Sequence, residues 1–175
     1  MSETPTPPPE PPAEPKPPEA KPEPSDVVLT RFFESSPAAK TAAGSLGSKA
    51  EVGVRFTDVP GDFRFFADSK KPRLVPGKAS DPDFELEIAP GAVKNIAGQP
   101  NADVGDLGIL FFQAMVAGDA ANKIRVKLHS GLFKLTTRGW LSVLASGGPK
   151  VIGWMAQKGL KGPGAVASAL SKLKK

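Results

Sequence analysis

The stretch "LGILFFQAMVAGDAANKIRVKLHSGLFKL" at residues 107–135 passes through three different patterns. Its first part is apolar, and helical spacing places Leu107, Leu110, Phe111 and Met115 on one side. A small polar turn follows, and "KIRVKLH" then alternates apolar and basic residues, as a half-buried strand does. The last part returns to apolar residues at helical spacing. This concentration of apolar residues around one strand predicts either a closed core or a cavity for an apolar ligand.

Working outward, other segments also have strand patterns. Residues 50–58 alternate apolar and polar side chains, "VPGD" at 59–62 is typical of a tight turn, and a second strand begins at Phe63. These elements predict a hairpin. Residues 84–89, "FELEIA", alternate more regularly than any other segment, and residues 73–75 are predicted to form a short strand.

Helical patterns occupy most of the remaining folded chain. Asp26 is predicted to cap a first helix that Pro37 ends or kinks. Further helices are predicted at residues 90–98 and 102–119, along one segment from 130 to 146, and in two segments after it. The predicted fold class is α+β, with a roughly five-stranded, mostly antiparallel sheet covered by helices.

The first 25 residues form a segment of a different kind. They contain eleven prolines, five glutamates and two lysines, with almost no apolar side chains. Proline fixes φ and removes the amide donor, so we expect a disordered, solvated arm and no signal peptide. The predicted organisation is an arm at 1–25, one domain at 26–160, and a basic C-terminal helix or tail at 161–175.

Charge and composition narrow the class of protein. The arm's five glutamates and two lysines give it a net charge of −3. Because the whole chain has a net charge of +5, the remaining residues carry +8. A basic domain favours anionic partners such as phospholipid headgroups. The chain has no cysteine, which fits a reducing compartment, and no apolar run approaches the roughly 18 residues needed to cross a bilayer. We therefore expect a soluble, cytoplasmic protein.

Three segments in this order resemble a sterol carrier protein-type lipid-binding domain. They are the hairpin at 52–77, "SDPDFELEIAPGAVKNIAGQPN" at 80–101, and "GDAANKIRVKLHSGLFKL" at 118–135. The resemblance covers roughly residues 50–146. It implies a five-stranded sheet under helices, with an apolar tunnel that holds a sterol, fatty acid, acyl thioester or phospholipid. The final "SKLKK" differs from the peroxisomal address that some members of the family carry.

The resemblance also implies which side chains line the tunnel. Ordinary core packing is the alternative for the same residues, although Phe111 and its neighbour Phe112 cannot both face one side of a helix. The predicted ligand-binding residues are Phe84, Leu86, Phe111, Phe112, Met115, Val116, Val126, Leu132, Phe133, Trp140 and Leu144.

A second candidate surface lies in "VIGWMAQKGLKG" at residues 151–162. Trp154 stands close in sequence to Lys158 and Lys161, and tryptophan beside lysine suits the interface between lipid and water. We interpret these three residues as a membrane contact. A helix that packs on the domain with a solvated basic edge is the alternative.

The sequence shows no set of residues typical of a catalytic or metal-binding site. His129 is the single histidine, expected at a strand end and bonded to a backbone carbonyl. Asp81 and Asp83 are interpreted as turn formers, and Glu85 with Glu87 as the solvated side of a strand. We therefore predict a protein that is not an enzyme and that needs no cofactor or metal.

Two functions from different classes remain open at this stage. The first is a non-enzymatic lipid carrier whose partners are a lipid ligand and, transiently, an anionic membrane. The second is a scaffold that recruits proteins through the proline-rich arm and the basic C-terminus. Nucleic-acid binding is disfavoured, because no aromatic side chains interleave with the basic residues of "NKIRVKL" to stack on bases.

Overall fold

Alternating apolar residues fold into five strands in the computed structural model, which describes residues 21–159. The strands are β1 (Glu51–Phe56), β2 (Phe63–Asp68), β3 (Lys71–Pro76), β4 (Phe84–Ile88) and β5 (Ile124–Leu128). They form one sheet in the order β3-β2-β1-β4-β5. β1 pairs with β4 in parallel, and the other pairs are antiparallel.

Seven α-helices accompany this sheet in the described part of the chain, some packed on the sheet and others on neighbouring helices. They are α1 (Ser25–Ser35), α2 (Pro37–Gly44), α3 (Pro90–Ala97), α4 (Val104–Val116), α5 (Leu132–Thr137), α6 (Trp140–Ser146) and α7 (Gly148–Gln157), with a 3₁₀ turn at Ala120–Asn122. The α+β class with a mostly antiparallel five-stranded sheet is thereby confirmed. The last predicted helix, at 161–175, lies outside the described residues.

The sheet has one apolar and one charged face. Cross-strand register places Val54 of β1 beside Leu86 of β4, which in turn lies beside Val126 of β5. On the opposite face Arg55, Glu87 and Arg125 form the neighbouring row. α1 and α2 contact β3, and α4 contacts β5, so the helices cover the apolar face.

Capping at the first helices differs in part from the prediction. α1 begins at Ser25, directly after Pro24, and no side chain caps it. The reason is tertiary: the Ser25 hydroxyl donates to Asp58 Oδ2 at 2.8 Å and fixes the helix start. Asp26 therefore lies in the first turn, and its prediction as the cap is wrong. Pro37 does end α1, and Ser36 caps α2 by accepting from the Ala39 amide at 3.2 Å.

Lys150 of α7 forms ion pairs at the start of α4. Lys150 Nζ lies 2.6 Å from Asp103 Oδ2 and 3.0 Å from the Asp106 carboxylate. Hydrogen bonding from Lys150, followed by the Asp106 amide, holds the pKa of Asp103 below its ordinary value, so this carboxyl stays ionised at neutral pH. Further along, the Phe112 and Trp154 rings stack at 5.8 Å. The two helices therefore run in parallel.

The segment predicted as one helix between 130 and 146 is broken at Gly139. This residue has φ of +88°, and a Cβ there would lie 2.1 Å from the Ser45 carbonyl oxygen. The Gly47 amide donates to the Arg138 carbonyl beside it at 2.9 Å. Because the chain must turn against the end of α2, the helical pattern divides into α5 and α6.

Gly139→Ala is expected to destabilise the fold by about 2–4 kcal/mol, from left-handed backbone strain and from the clash with Ser45. Gly148→Ala is the matched control, since Gly148 also has a positive φ (+63°), but a Cβ at this position would meet no atom within 4 Å. We expect the control to lose about 1 kcal/mol. Urea unfolding measures both variants, and equal losses would contradict the close contact at Gly139.

Candidate ligand site

Apolar side chains of the sheet and of α4 form the candidate site. They pack against the buried core but are themselves only partly buried. Leu107, Phe111 and Met115 recur at helical spacing on α4, which contacts β5. We call this group the α4–sheet cluster: Phe84, Leu86, Leu107, Phe111, Met115, Val126 and Trp140.

Burial within the sheet separates this cluster from the rest of the core. Val54 is 4% exposed, whereas its in-register neighbour Leu86 is only partly buried. Val126 of β5 is likewise partly buried, although Ile124 two residues earlier is 1% exposed. The sheet is therefore tightly covered over β1 and less completely covered over the middle of β4 and β5.

Trp140 is held at one end of the cluster by two contacts. Its ring meets Phe84 edge-on, with centroids 5.0 Å apart and an interplanar angle of 89°. Its Nε1 donates to Asp83 Oδ2 at 2.7 Å. The indole thus has an apolar neighbour on one side and a fixed polar partner on the other.

Asp83 is the centre of a buried polar network. The residue is 0% exposed, and its carboxylate also accepts hydrogen bonds from Ser130 Oγ at 2.6 Å and from Arg138 Nη1 at 3.0 Å. Its backbone oxygen accepts from the His129 amide at 2.9 Å. Asp83 therefore connects β4, the end of β5 and the α5–α6 junction, a role that its interpretation as a turn former missed.

Arg138 is shared between Asp83 and an exposed carboxylate. Its Nη2 lies 2.5 Å from Asp81 Oδ2, and Lys134 Nζ lies 2.6 Å from Asp81 Oδ1. Hydrogen bonds from Lys134, and then from Arg138, hold the pKa of Asp81 below its ordinary value. No local sequence pattern joins an aspartate to an arginine 55 residues later, so sequence reasoning could not find this network.

The predicted ligand-binding residues divide between the cluster and other places. Six of them come together in it: Phe84, Leu86, Phe111, Met115, Val126 and Trp140. Phe112 instead stacks on Trp154, and Leu144 is half-buried on α6. The structure does not bring Val116, Leu132 and Phe133 to the cluster, since they are 69%, 52% and 84% exposed.

The predicted membrane-contact residues lie at the end of α7. Lys158 Nζ stands 5.9 Å from the Trp154 ring centroid, which is within the range of a cation–π contact. Lys158 is exposed and Trp154 is half-buried. Lys161 lies outside the described residues.

His129 does follow β5 directly, but its side chain has a different partner from the predicted backbone carbonyl. Its Nε2 lies 3.1 Å from Glu85 Oε2 on the charged face of the sheet. The prediction is wrong because the register places Glu85 beside Lys127, and His129, two residues after Lys127, extends over the same face.

Two concave surfaces of the described residues have polar or mixed linings. A cavity of about 210 Å³ lies around Gly53 on the charged face, among Arg55, Lys78, Glu85 and Lys127. An open groove of about 630 Å³ lies between α4 and residues 98–102. Among residues 21–159, no helix has the length and apolar character needed to cross a membrane.

No protein-family model matches this chain, and no curated protein matches it. A solved structure described as "UbiJ-SCP2 Ubiquinone synthesis protein" is similar at 13% sequence identity, with 71% of this chain and 89% of that chain covered and a TM-score of 0.40.

Proposed function

We propose that this protein binds a hydrophobic lipid without catalysing a reaction. The ligand class is a sterol, fatty acid, acyl thioester or phospholipid, held in an apolar tunnel between α4 and the sheet. The supporting observation is the incomplete burial of the α4–sheet cluster, which is apolar and lies over β4 and the neighbouring edge strand β5. An apolar ligand buried there would gain roughly 25 cal/mol per Å² of surface removed from water.

The polar network beside the cluster supports the same proposal. The Asp83 carboxylate accepts hydrogen bonds from three side chains, so it presents no unpaired charge to the ligand. The same bonds hold this side of the site in a fixed position. Trp140, which this network positions, offers a flat aromatic surface next to Phe84. A site of this kind favours acyl chains and polycyclic rings over polar metabolites.

We extend the proposal to intermembrane transfer in the cytoplasm, with transient contact at anionic membrane. Trp154 with Lys158 over its ring supports this part, because the pair combines an aromatic body with a cation at an exposed helix end. The absence of cysteine from the sequence is compatible with a reducing compartment.

Native mass spectrometry of the purified full chain, with organic extraction, tests the proposal. We expect a defined additional mass that matches one of these lipid classes, either carried through purification or acquired from added fatty acid, sterol or phospholipid. A protein that remains bare with all three would contradict lipid binding. Affinity capture with the arm at residues 1–25 would then test the scaffold function.

A further inference from the structure

Two large apolar side chains are exposed next to each other at the start of α5. Phe133 is 84% exposed, the highest value among the large apolar side chains of residues 21–159, and Leu132 is 52% exposed. Both lie outside the α4–sheet cluster, so a lipid bound there does not explain their exposure. Adjacent exposed apolar residues favour a surface that contacts another molecule.

The residues on both sides of this pair are fixed to the loop that leads into β4. Ser130 Oγ donates to Asp83 Oδ1 at 2.6 Å, and Lys134 Nζ lies 2.6 Å from Asp81 Oδ1. The Asp83 backbone oxygen also accepts from the amides of residues 129 and 130. The exposed pair is therefore held in a defined place beside the start of β4.

The strand register shows which other segments share this end of the sheet. β5 ends at Leu128, which pairs with Phe84 at the start of β4, and Phe84 pairs with Val52 near the start of β1. β1 in turn begins opposite the end of β2, where the pairing of Asp68 with Lys71 closes the β2–β3 hairpin. The end of β5, the start of β1 and the β2–β3 turn therefore lie along one end of the sheet.

Three exposed lysines lie along the same end. Lys49 comes two residues before β1, and Lys70 and Lys71 stand at the β2–β3 turn. The turn consists of Ser69 and Lys70, whose φ angles are +50° and +64°. Glycine and asparagine are the usual residues in such a two-residue turn, because most others are strained at positive φ. The turn thus has a lysine where an unstrained residue would be more stable, which favours a role for its charge.

Two exposed carboxylates at this end are already paired with other cations. Asp68 lies 3.9 Å from Arg73, and Asp81 is shared between Lys134 and Arg138. The charge of the three lysines is therefore available to an anionic partner. The lysines and the apolar pair extend across a five-stranded sheet, roughly 20 Å wide at about 4.8 Å between strands. A flat anionic surface can contact all of them at once, whereas a single short peptide cannot.

We propose that this end of the sheet binds the surface of an anionic bilayer. Leu132 and Phe133 enter the interface between headgroups and acyl chains, and the three lysines lie at the anionic headgroups. This surface is separate from the membrane contact proposed at the end of α7. The proposal does not rest on lipid binding by the α4–sheet cluster, because a chain without a bound lipid can still contact a membrane in this way.

Sedimentation of the full-length chain with vesicles tests the proposal. We expect binding to vesicles of phosphatidylserine and phosphatidylcholine in equal parts, and much weaker binding to phosphatidylcholine alone. Phe133→Ser should lower the affinity for the mixed vesicles by about tenfold. Val27→Ser is the matched control, since Val27 is 42% exposed and Ser25 ties its helix to Asp58, beyond the other end of β1. The control should bind as the unaltered chain does.

The contribution of the charges is measured in the same assay. Changing the three lysines to glutamine should lower the affinity about a hundredfold, because each lysine at an anionic membrane contributes about fivefold. The control removes three positive charges from the opposite end, where the lysines lie after β3, in α3 and before β5: Lys78, Lys94 and Lys123. Its affinity should fall by less than about tenfold, since these charges lie further from the membrane than a Debye length.

A polarity-sensitive fluorophore gives an independent measurement, because the chain has no cysteine of its own. A label attached to Phe133→Cys should emit at shorter wavelength when mixed vesicles are added, and a label attached to Val27→Cys should not. Equal weakening by the two triple lysine variants, or unchanged binding by Phe133→Ser, would overturn the proposal. A folded chain that binds no vesicles would also overturn it and would favour a protein partner for the exposed pair.

Discussion

Asp83→Ala is expected to lower the free energy of unfolding by about 3–5 kcal/mol. The substitution removes the acceptor for the buried Ser130 Oγ and for the Nε1 of the partly buried Trp140. It also leaves the Arg138 guanidinium, whose side chain is 10% exposed, with one carboxylate in place of two. Urea unfolding followed by far-UV circular dichroism measures the loss, and tryptophan emission should shift to longer wavelength as Trp140 loses its anchor.

Two further variants distinguish the loss of the buried hydrogen bonds from the loss of a negative charge beside Arg138. Asp81→Ala removes the exposed partner of the same arginine, and we expect a much smaller loss of stability because this side chain is 63% exposed. Asp83→Ala combined with Arg138→Met should recover part of the loss, since the unpaired buried charge is then absent. An Asp83→Ala protein as stable as the unaltered chain would contradict the structural role of the network.

Phe111→Glu is expected to weaken lipid binding by more than about tenfold. Phe111 faces the core from α4 and belongs to the α4–sheet cluster, so the substitution places a carboxylate without a partner against an apolar ligand. The dissociation constant for a fluorescent fatty acid, followed by energy transfer from tryptophan, measures the effect. Met115→Gln, one helical turn further along, should give a smaller weakening in the same direction.

Val116→Glu is the matched control for this prediction. It introduces the same charge on the same helix, but Val116 is 69% exposed and lies outside the cluster. Its affinity for the fatty acid should stay close to that of the unaltered chain. Circular dichroism must show that each variant is folded. Equal effects of Phe111→Glu and Val116→Glu on affinity would contradict a binding site on the sheet side of α4.

Local patterns predicted most elements of this fold, because alternation and helical spacing are properties of short segments. Residues 84–89 were expected as a strand and form β4 at Phe84–Ile88, and the helix expected at 90–98 is α3 at Pro90–Ala97. The break at Gly139 was missed, since the apolar spacing of the segment continues through it. The break is required because the chain at Gly139 passes close to the Ser45 carbonyl, and Ser45 is distant in sequence.

The candidate site was predictable only in part for the same reason. Leu86 and Phe111 could be proposed because their segments show which side of a strand or helix is apolar. The parallel pairing of β1 with β4 and the joining of Asp83 to Arg138 depend on long-range geometry that has no local signal. The exposure of Phe133, at 84%, could not be predicted because its spacing resembles that of core residues.

The two outermost strands of the sheet have a consequence for self-association. β3 has Pro72 and Pro76, which supply no amide hydrogen to a strand from another molecule. An edge strand tolerates a proline whose nitrogen faces away from the neighbouring strand of the sheet. That open side is also the side on which a strand from another molecule would bind. At the opposite edge, β5 alternates Arg125 and Lys127 along its length, and two such edges would repel each other. Both borders of the sheet are therefore protected against the edge-to-edge pairing that begins aggregation.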